Sequence, residues 1–149
     1  MKTKLFTLFV MTIATTSLLL SGCTVAREHV SIEVSCDDFY ANQHIENEVQ
    51  IPVDGTVTLT LCSNPTTGFQ WEPTVCCPLR SVILAEVDHR FIPPGETGDT
   101  TPVVGASGKE VWVYKGVNQG VATVSLDYRR PWQSGERGEW IYNLTIFVE

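Results

Sequence analysis

From Val30 the chain alternates: Val30, Ile32 and Val34 point to one side of an extended backbone, and Ser31, Glu33 and Ser35 to the other. The pattern recurs in NEVQIPV (47–53) and in TVTLTL (56–61), where Val57, Leu59 and Leu61 oppose three threonines. Asp54-Gly55 between them predicts a hairpin turn. FQWEPTV (69–75), SVILAEVDHRFI (81–92), KEVWVYK (109–115), GVATVSLDY (120–128) and EWIYNLTIFVE (139–149) continue the series. Short period-two runs rich in β-branched and aromatic residues, with turn signals between them, are strands. Helical periodicity is absent outside the first 22 residues. About eight strands in this length predict an all-β, antiparallel two-sheet sandwich of immunoglobulin-like arrangement, with a closed barrel as the alternative. Residues 93–108, PPGETGDTTPVVGASG, are too rich in proline and glycine for a strand and form a long loop.

The first residues follow a different pattern. Lys2 and Lys4 precede an apolar run from Leu5 to Leu20 that is short for a spanning helix, and Leu20-Ser21-Gly22-Cys23 follows. This resembles the lipobox of prokaryotic lipoproteins, and implies a signal peptide over 1–22 with lipidation at Cys23. A tether over 24–29 would then reach roughly 20 Å when extended, ahead of one domain over 30–149. The expected location is the cell envelope: the outer membrane or periplasmic face, or the outer face of the cell membrane. Thr24, rather than an aspartate, after Cys23 favours the outer membrane in a diderm.

Loss of Lys2 and Lys4 leaves eight basic residues against 17 acidic ones, a mature net charge of −9. A chain this acidic, without a Lys/Arg cluster, does not suit nucleic acid. Hydrophobic content of 43 % with 18 % charged residues suits a folded globular domain rather than a disordered one, and a monomer is expected. In an exported chain Cys36, Cys62, Cys76 and Cys77 are expected to form disulfides. A Cys76–Cys77 bridge would close a strained small ring, so each is expected to pair across to Cys36 or Cys62. Zinc lacks its spacing, because no C-x₂-C occurs and His29, His44 and His89 are scattered. No cofactor is implied.

Catalytic motifs are also missing: there is no G-x-S-x-G, H-E-x-x-H or phosphate-cradling glycine loop. A Cys76–His89 dyad is formally available, but a disulfide half and a surface histidine explain both residues more simply. Three loops carry the distinctive chemistry. In the first, Asn64 suits an Asx-turn, Pro65 fixes φ, Thr66 and Thr67 are stiff at χ1, and Gly68 permits positive φ before Phe69. The second, Gly105-Ala106-Ser107-Gly108, has side chains small enough to offer its backbone to a partner. The third, Arg130-Pro131-Trp132, joins the two residue types most enriched in binding hot spots through a stiff proline.

NPTTGF (64–69), GASG (105–108) and RPW (130–132), in this order and each at a strand boundary, are similar to the marks of the chagasin family of cysteine-peptidase inhibitors. The resemblance spans about residues 30 to 149. One departure is Ser107, where the family pattern G-x-G-G has glycine, and the four domain cysteines lie outside that pattern. The resemblance implies a reversible, non-covalent inhibitor of papain-like cysteine peptidases, not an enzyme. Thr66 and Thr67 would approach the catalytic Cys–His pair, 105–108 would line one side of the cleft through backbone hydrogen bonds, and Arg130 and Trp132 would pack on the other. An uncharged 64–68 enters a cleft without the cost of desolvating an ion. The alternatives are an immunoglobulin-like adhesion or envelope module, and a thiol-redox enzyme using Cys76 and Cys77.

Overall fold

The computed structural model describes residues 28–74, 80–95, 105–132 and 140–149. Residues 1–27 with Cys23, the pair Cys76–Cys77 and most of the long loop after Pro94 lie outside them. Eight strands form two four-stranded sheets. The first has the order β1 (His29–Val34), β3 (Thr56–Ser63), β6 (Gly108–Gly116), β5 (Leu84–Ile92). The second has the order β2 (His44–Ile51), β8 (Trp140–Val148), β7 (Gly120–Arg129), β4 (Gln70–Pro73). The all-β, immunoglobulin-like sandwich expected from the alternation is the fold. Most pairings are antiparallel, but β1 pairs parallel with β3 and β2 parallel with β8.

Alternation places the core. Val57, Leu59 and Leu61 of β3 and Trp112 and Tyr114 of β6 face Val124, Leu126 and Tyr128 of β7 and Tyr142, Leu144 and Ile146 of β8, all buried. Full burial of each aliphatic side chain stabilises the fold by about 1.5–3 kcal/mol before entropy is counted.

Several local expectations are corrected. Asp54-Gly55 does not close a hairpin, since β2 and β3 belong to different sheets. Gly55 N–H donates to the Pro52 carbonyl at 2.9 Å, and Asp54 at φ 68° turns the chain across the sandwich instead. The run 81–92 is not one strand, because Arg80–Ile83 forms a helical turn, α2, ahead of β5.

A six-residue helix, α1 (Cys36–Ala41), also interrupts the strand series. Its start is fixed by Ser35, whose Oγ accepts from Asp38 N–H at 3.1 Å and donates to Asp38 Oδ2 at 2.7 Å. Phe39 anchors it in the core.

The cysteine pairing differs too. Cys36 and Cys62 are bonded to each other, with Cα atoms 5.0 Å apart, so neither is available to Cys76 or Cys77. The parallel register explains why. Val34 lies beside Leu61, so the first residue of α1 falls next to Cys62. Strand partnership of this kind cannot be read from cysteine spacing.

Both sheets run between two poles. Ser63 and Gly108, Gln70 and Arg129, Tyr128 and Trp140, and Val34 and Leu61 are neighbours at one pole. His29 beside Thr56, the 52–55 turn and Glu149 lie at the other. All three distinctive loops, together with α1, emerge at the first.

Candidate functional site: three loops joined at one pole

Loop 64–68 is a single 3-10 turn, Pro65–Thr67, closed by Gly68. Pro65 occupies the first helical position, where a missing N–H costs nothing. Thr67 N–H donates to the Asn64 carbonyl at 3.1 Å and Gly68 N–H to the Pro65 carbonyl at 3.0 Å. Gly68 has φ 81°, the left-handed region expected of it. Pro65, Thr66 and Thr67 are exposed, and no charge lies among them.

Asn64 does not make the expected Asx-turn: its side chain forms no cap to the turn's backbone. It is buried and joins the loops instead. Its N–H donates to Tyr128 Oη at 2.8 Å, and Nδ2 donates to the Gly105 carbonyl of the second loop at 2.9 Å. Oδ1 accepts from Thr66 Oγ1 at 2.5 Å, while the Asn64 carbonyl also takes Thr67 Oγ1 at 2.7 Å. Each of its polar groups thus has a partner, as a buried amide requires. Both threonine hydroxyls are turned inward, which leaves their methyl groups to define the tip. Tyr128 is buried, which raises its hydroxyl pKa, against the lowering influence of the Asn64 N–H. Composition gave no hint of this hydroxyl; the inward parity of Tyr128 at the end of β7 was the available signal.

In loop 105–108 the two glycines serve different needs. Gly105 has φ 86° and open space around it, so its requirement is conformational. Gly108 sits in the β6 ladder opposite Ser63, and a Cβ there would lie 2.4 Å from the Ile92 carbonyl and 2.6 Å from the Phe91 ring. Ala106 and Ser107 lie between them, half-buried. Ser107 is not among the positive-φ residues: Asp54 is the one non-glycine so placed among the described residues. Serine at 107 therefore imposes no backbone strain.

Loop 130–132 folds back over the first loop. A Cβ on Gly68 would meet Trp132 Cη2 at 2.4 Å, so the indole rests directly against Gly68. Trp132 is nevertheless 68 % exposed, and Pro131 is exposed beside it. Arg130 Cζ stands 4.4 Å from the centroid of the Phe69 ring, which is itself stacked on Tyr128 at 5.4 Å. Beneath these loops Arg129 binds Glu72, with Nε 2.7 Å from Oε2, which ties β7 to β4. That hydrogen bond, then one from Gln70, holds the Glu72 carboxyl below its ordinary pKa. Trp71 Nε1–H donates to the Cys62 carbonyl at 3.0 Å and anchors the base of the first loop, with Leu61 buried alongside.

The residues singled out from sequence thus come together at one pole, with Asn64 and Gly108 buried beneath the exposed ones: Asn64 links the first loop to the second, and Gly68 and Phe69 link it to the third. His89 stands apart, stacked on Trp112 at 4.7 Å, with Nε2 2.8 Å from Glu110 Oε1. Its suggested partner Cys76 lies outside the described residues.

A family model for the chagasin family peptidase inhibitor I42 matches residues 50–146. The fold is similar to the cysteine protease inhibitor EhICP2 from Entamoeba histolytica (TM-score 0.60, 16 % identity, 81 % of this chain and 97 % of that one). It is also similar to Leishmania mexicana ICP (TM-score 0.50, 27 % identity, 73 % and 92 %) and to amebosin (TM-score 0.53, 20 % identity, 81 % and 98 %). No curated protein matches the sequence.

Proposed function

Because the chain belongs to the chagasin family of peptidase inhibitors, we propose that the three joined loops are its inhibitory surface and enter the cleft of the target as one wedge. The protein inhibits papain-like cysteine peptidases and is not an enzyme. Thr66 and Thr67 form the tip that reaches the catalytic Cys–His pair. Gly105, Ala106 and Ser107 line one wall of the cleft through their backbone, while buried Gly108 ties the loop into β6. Arg130, Pro131 and Trp132, with Phe69 beneath Arg130, pack on the other.

The observation that carries this reading is the Asn64 hub. Hydrogen bonds to Gly105, Tyr128 and Thr66 preset the spacing of the loops before any partner arrives. Loops already ordered lose little entropy on docking, and an uncharged tip sheds no ionic hydration. A wedge closed by Gly68 at positive φ and covered by Trp132 blocks the cleft without presenting a flexible peptide for cleavage.

The test is titration of the full chain against papain and a cathepsin. Reversible, competitive inhibition is expected, with Ki raised by Thr66→Ala and Trp132→Ala. Absence of inhibition at micromolar concentration would sink the reading.

We also propose that the chain is exported and lipid-anchored at Cys23. The support is the Leu20-Ser21-Gly22-Cys23 motif. Glu28, whose carbonyl accepts from Thr56 N–H at the pole opposite the loops, is consistent with an anchored wedge that faces away from the membrane. Incorporation of labelled palmitate that Cys23→Ser abolishes is the expected result.

A further inference from the structure

Helix α1 precedes the segment matched by the family model, which begins at residue 50. The three loop motifs of the family resemblance do not include it. The chain nevertheless fixes these six residues at the loop pole three times over: by the Ser35 cap, by the Cys36–Cys62 disulfide and by burial of Phe39.

An aromatic ribbon leads from the loops to this helix. Phe69, under Arg130, lies 6.1 Å from Trp140, and Trp140 meets Tyr40 edge-on at 6.2 Å. Phe39 supports both Tyr40 and Trp140, at 5.2 and 5.3 Å. Tyr40, the outermost ring, remains 53 % exposed. Trp140 Nε1 is buried with no hydrogen-bond partner among the described residues. A stiff, half-exposed tyrosine backed by other rings is the kind of amphipathic anchor that binding interfaces favour.

We propose that α1 is a fourth contact element of the inhibitor, with Tyr40 packing on the peptidase surface just outside the cleft, on the side that receives Arg130 and Trp132. This rests on the three-loop reading above. The occupant is the peptidase rather than another partner because the ribbon is continuous with the wedge: a cleft wall held against Arg130 and Phe69 continues onto Trp140 and Tyr40. A contact away from the reacting groups distinguishes between peptidases that share the same catalytic pair. Tyr40 is thus a specificity-determining residue.

The test compares Tyr40→Ala, Trp132→Ala and the unaltered full chain against several papain-like peptidases. Tyr40→Ala is expected to raise Ki about tenfold for some enzymes and little for others, mainly through faster dissociation. Benzophenone-alanine at position 40 should cross-link to the bound peptidase, whereas the same group at exposed Val121 of the opposite pole should not. The cross-link keeps the proposal testable if Tyr40→Ala melts early.

Unchanged Ki for every enzyme with Tyr40→Ala, and no cross-link, while Trp132→Ala weakens inhibition, would overturn the α1 contact and leave the wedge intact. If Trp132→Ala is also silent, the wedge reading itself fails. A change of oligomeric state with Tyr40→Ala at constant Ki would assign the patch to a second copy of the chain and overturn the proposal.

Discussion

At the scale of single residues, the site depends on which atoms are already engaged. Asn64 is buried with all its polar groups paired, so Asn64→Ala removes the donor to Gly105 and the acceptor for Thr66. Loss of one buried polar partner costs about 1–3 kcal/mol, so both a lower melting temperature and a higher Ki are expected. Asn64→Asp keeps the shape but replaces the donor with an acceptor facing the Gly105 carbonyl, and should fare no better. Gly68→Ala separates stability from function. The left-handed φ costs about 1–2 kcal/mol, but the new methyl would also meet Trp132 Cη2. Trp132 is exposed and free to swing out, so inhibition should suffer more than folding. A large loss of stability with unchanged Ki would show that the Trp132 position does not matter. Ser107→Gly restores the family's pattern but relieves no strain. It is expected to leave Ki unchanged, or to raise it up to about fivefold through added loop entropy.

At the scale of elements, sequence and structure agree where the information is local. Alternation locates the strands because period two reports which face of a strand is buried. It does not report partners. Hence Asp54-Gly55 reads as a hairpin although it links two sheets, and Cys36 and Cys62 read as partners of Cys76 and Cys77 although β1 beside β3 brings them together. Helix α1 is too short for a 3.6-residue period to emerge, and only Ser35 with Asp38 three residues later marks it. The three loops were legible as a set through their family resemblance, but the Asn64–Gly105 bond spans 41 residues and has no local signature. Element-level coupling also has a pH dependence. Arg129 depresses the Glu72 pKa, so the pair contributes stability above the pKa of an unfolded glutamate and loses it as pH falls through the folded value. Glu72→Gln should therefore melt below the unaltered protein at pH 7, and the gap should narrow in acid as Glu72 becomes protonated. A gap that persists in acid would assign the effect to packing rather than charge.

At the scale of the whole molecule, the sandwich puts the start of β1 and the three loops at opposite poles. Its described N-terminal residues lie beside Thr56, while the loops leave Ser63 and Gly108 at the other end of the same strands. Eight residues of β3 set these poles roughly 25 Å apart. Glu149 follows β8 at the same pole as Thr56, so neither end of the strand framework crowds the wedge. Under the proposed anchoring at Cys23, six extended residues would add up to roughly 20 Å and the wedge would point away from the bilayer. A chain anchored through Cys23 is thus expected to inhibit a soluble peptidase as strongly on liposomes as in detergent. Moving the lipid to the other pole reverses the geometry. With Cys23, Cys76 and Cys77 replaced by serine, and a maleimide-lipid attachment made through His44→Cys at the loop-pole start of β2, the loops would face the bilayer and inhibition should disappear on liposomes. The same lipidated protein in detergent controls for the attachment itself. Equal inhibition from both orientations on liposomes would mean that the tether, and not the sandwich, decides how the wedge is presented.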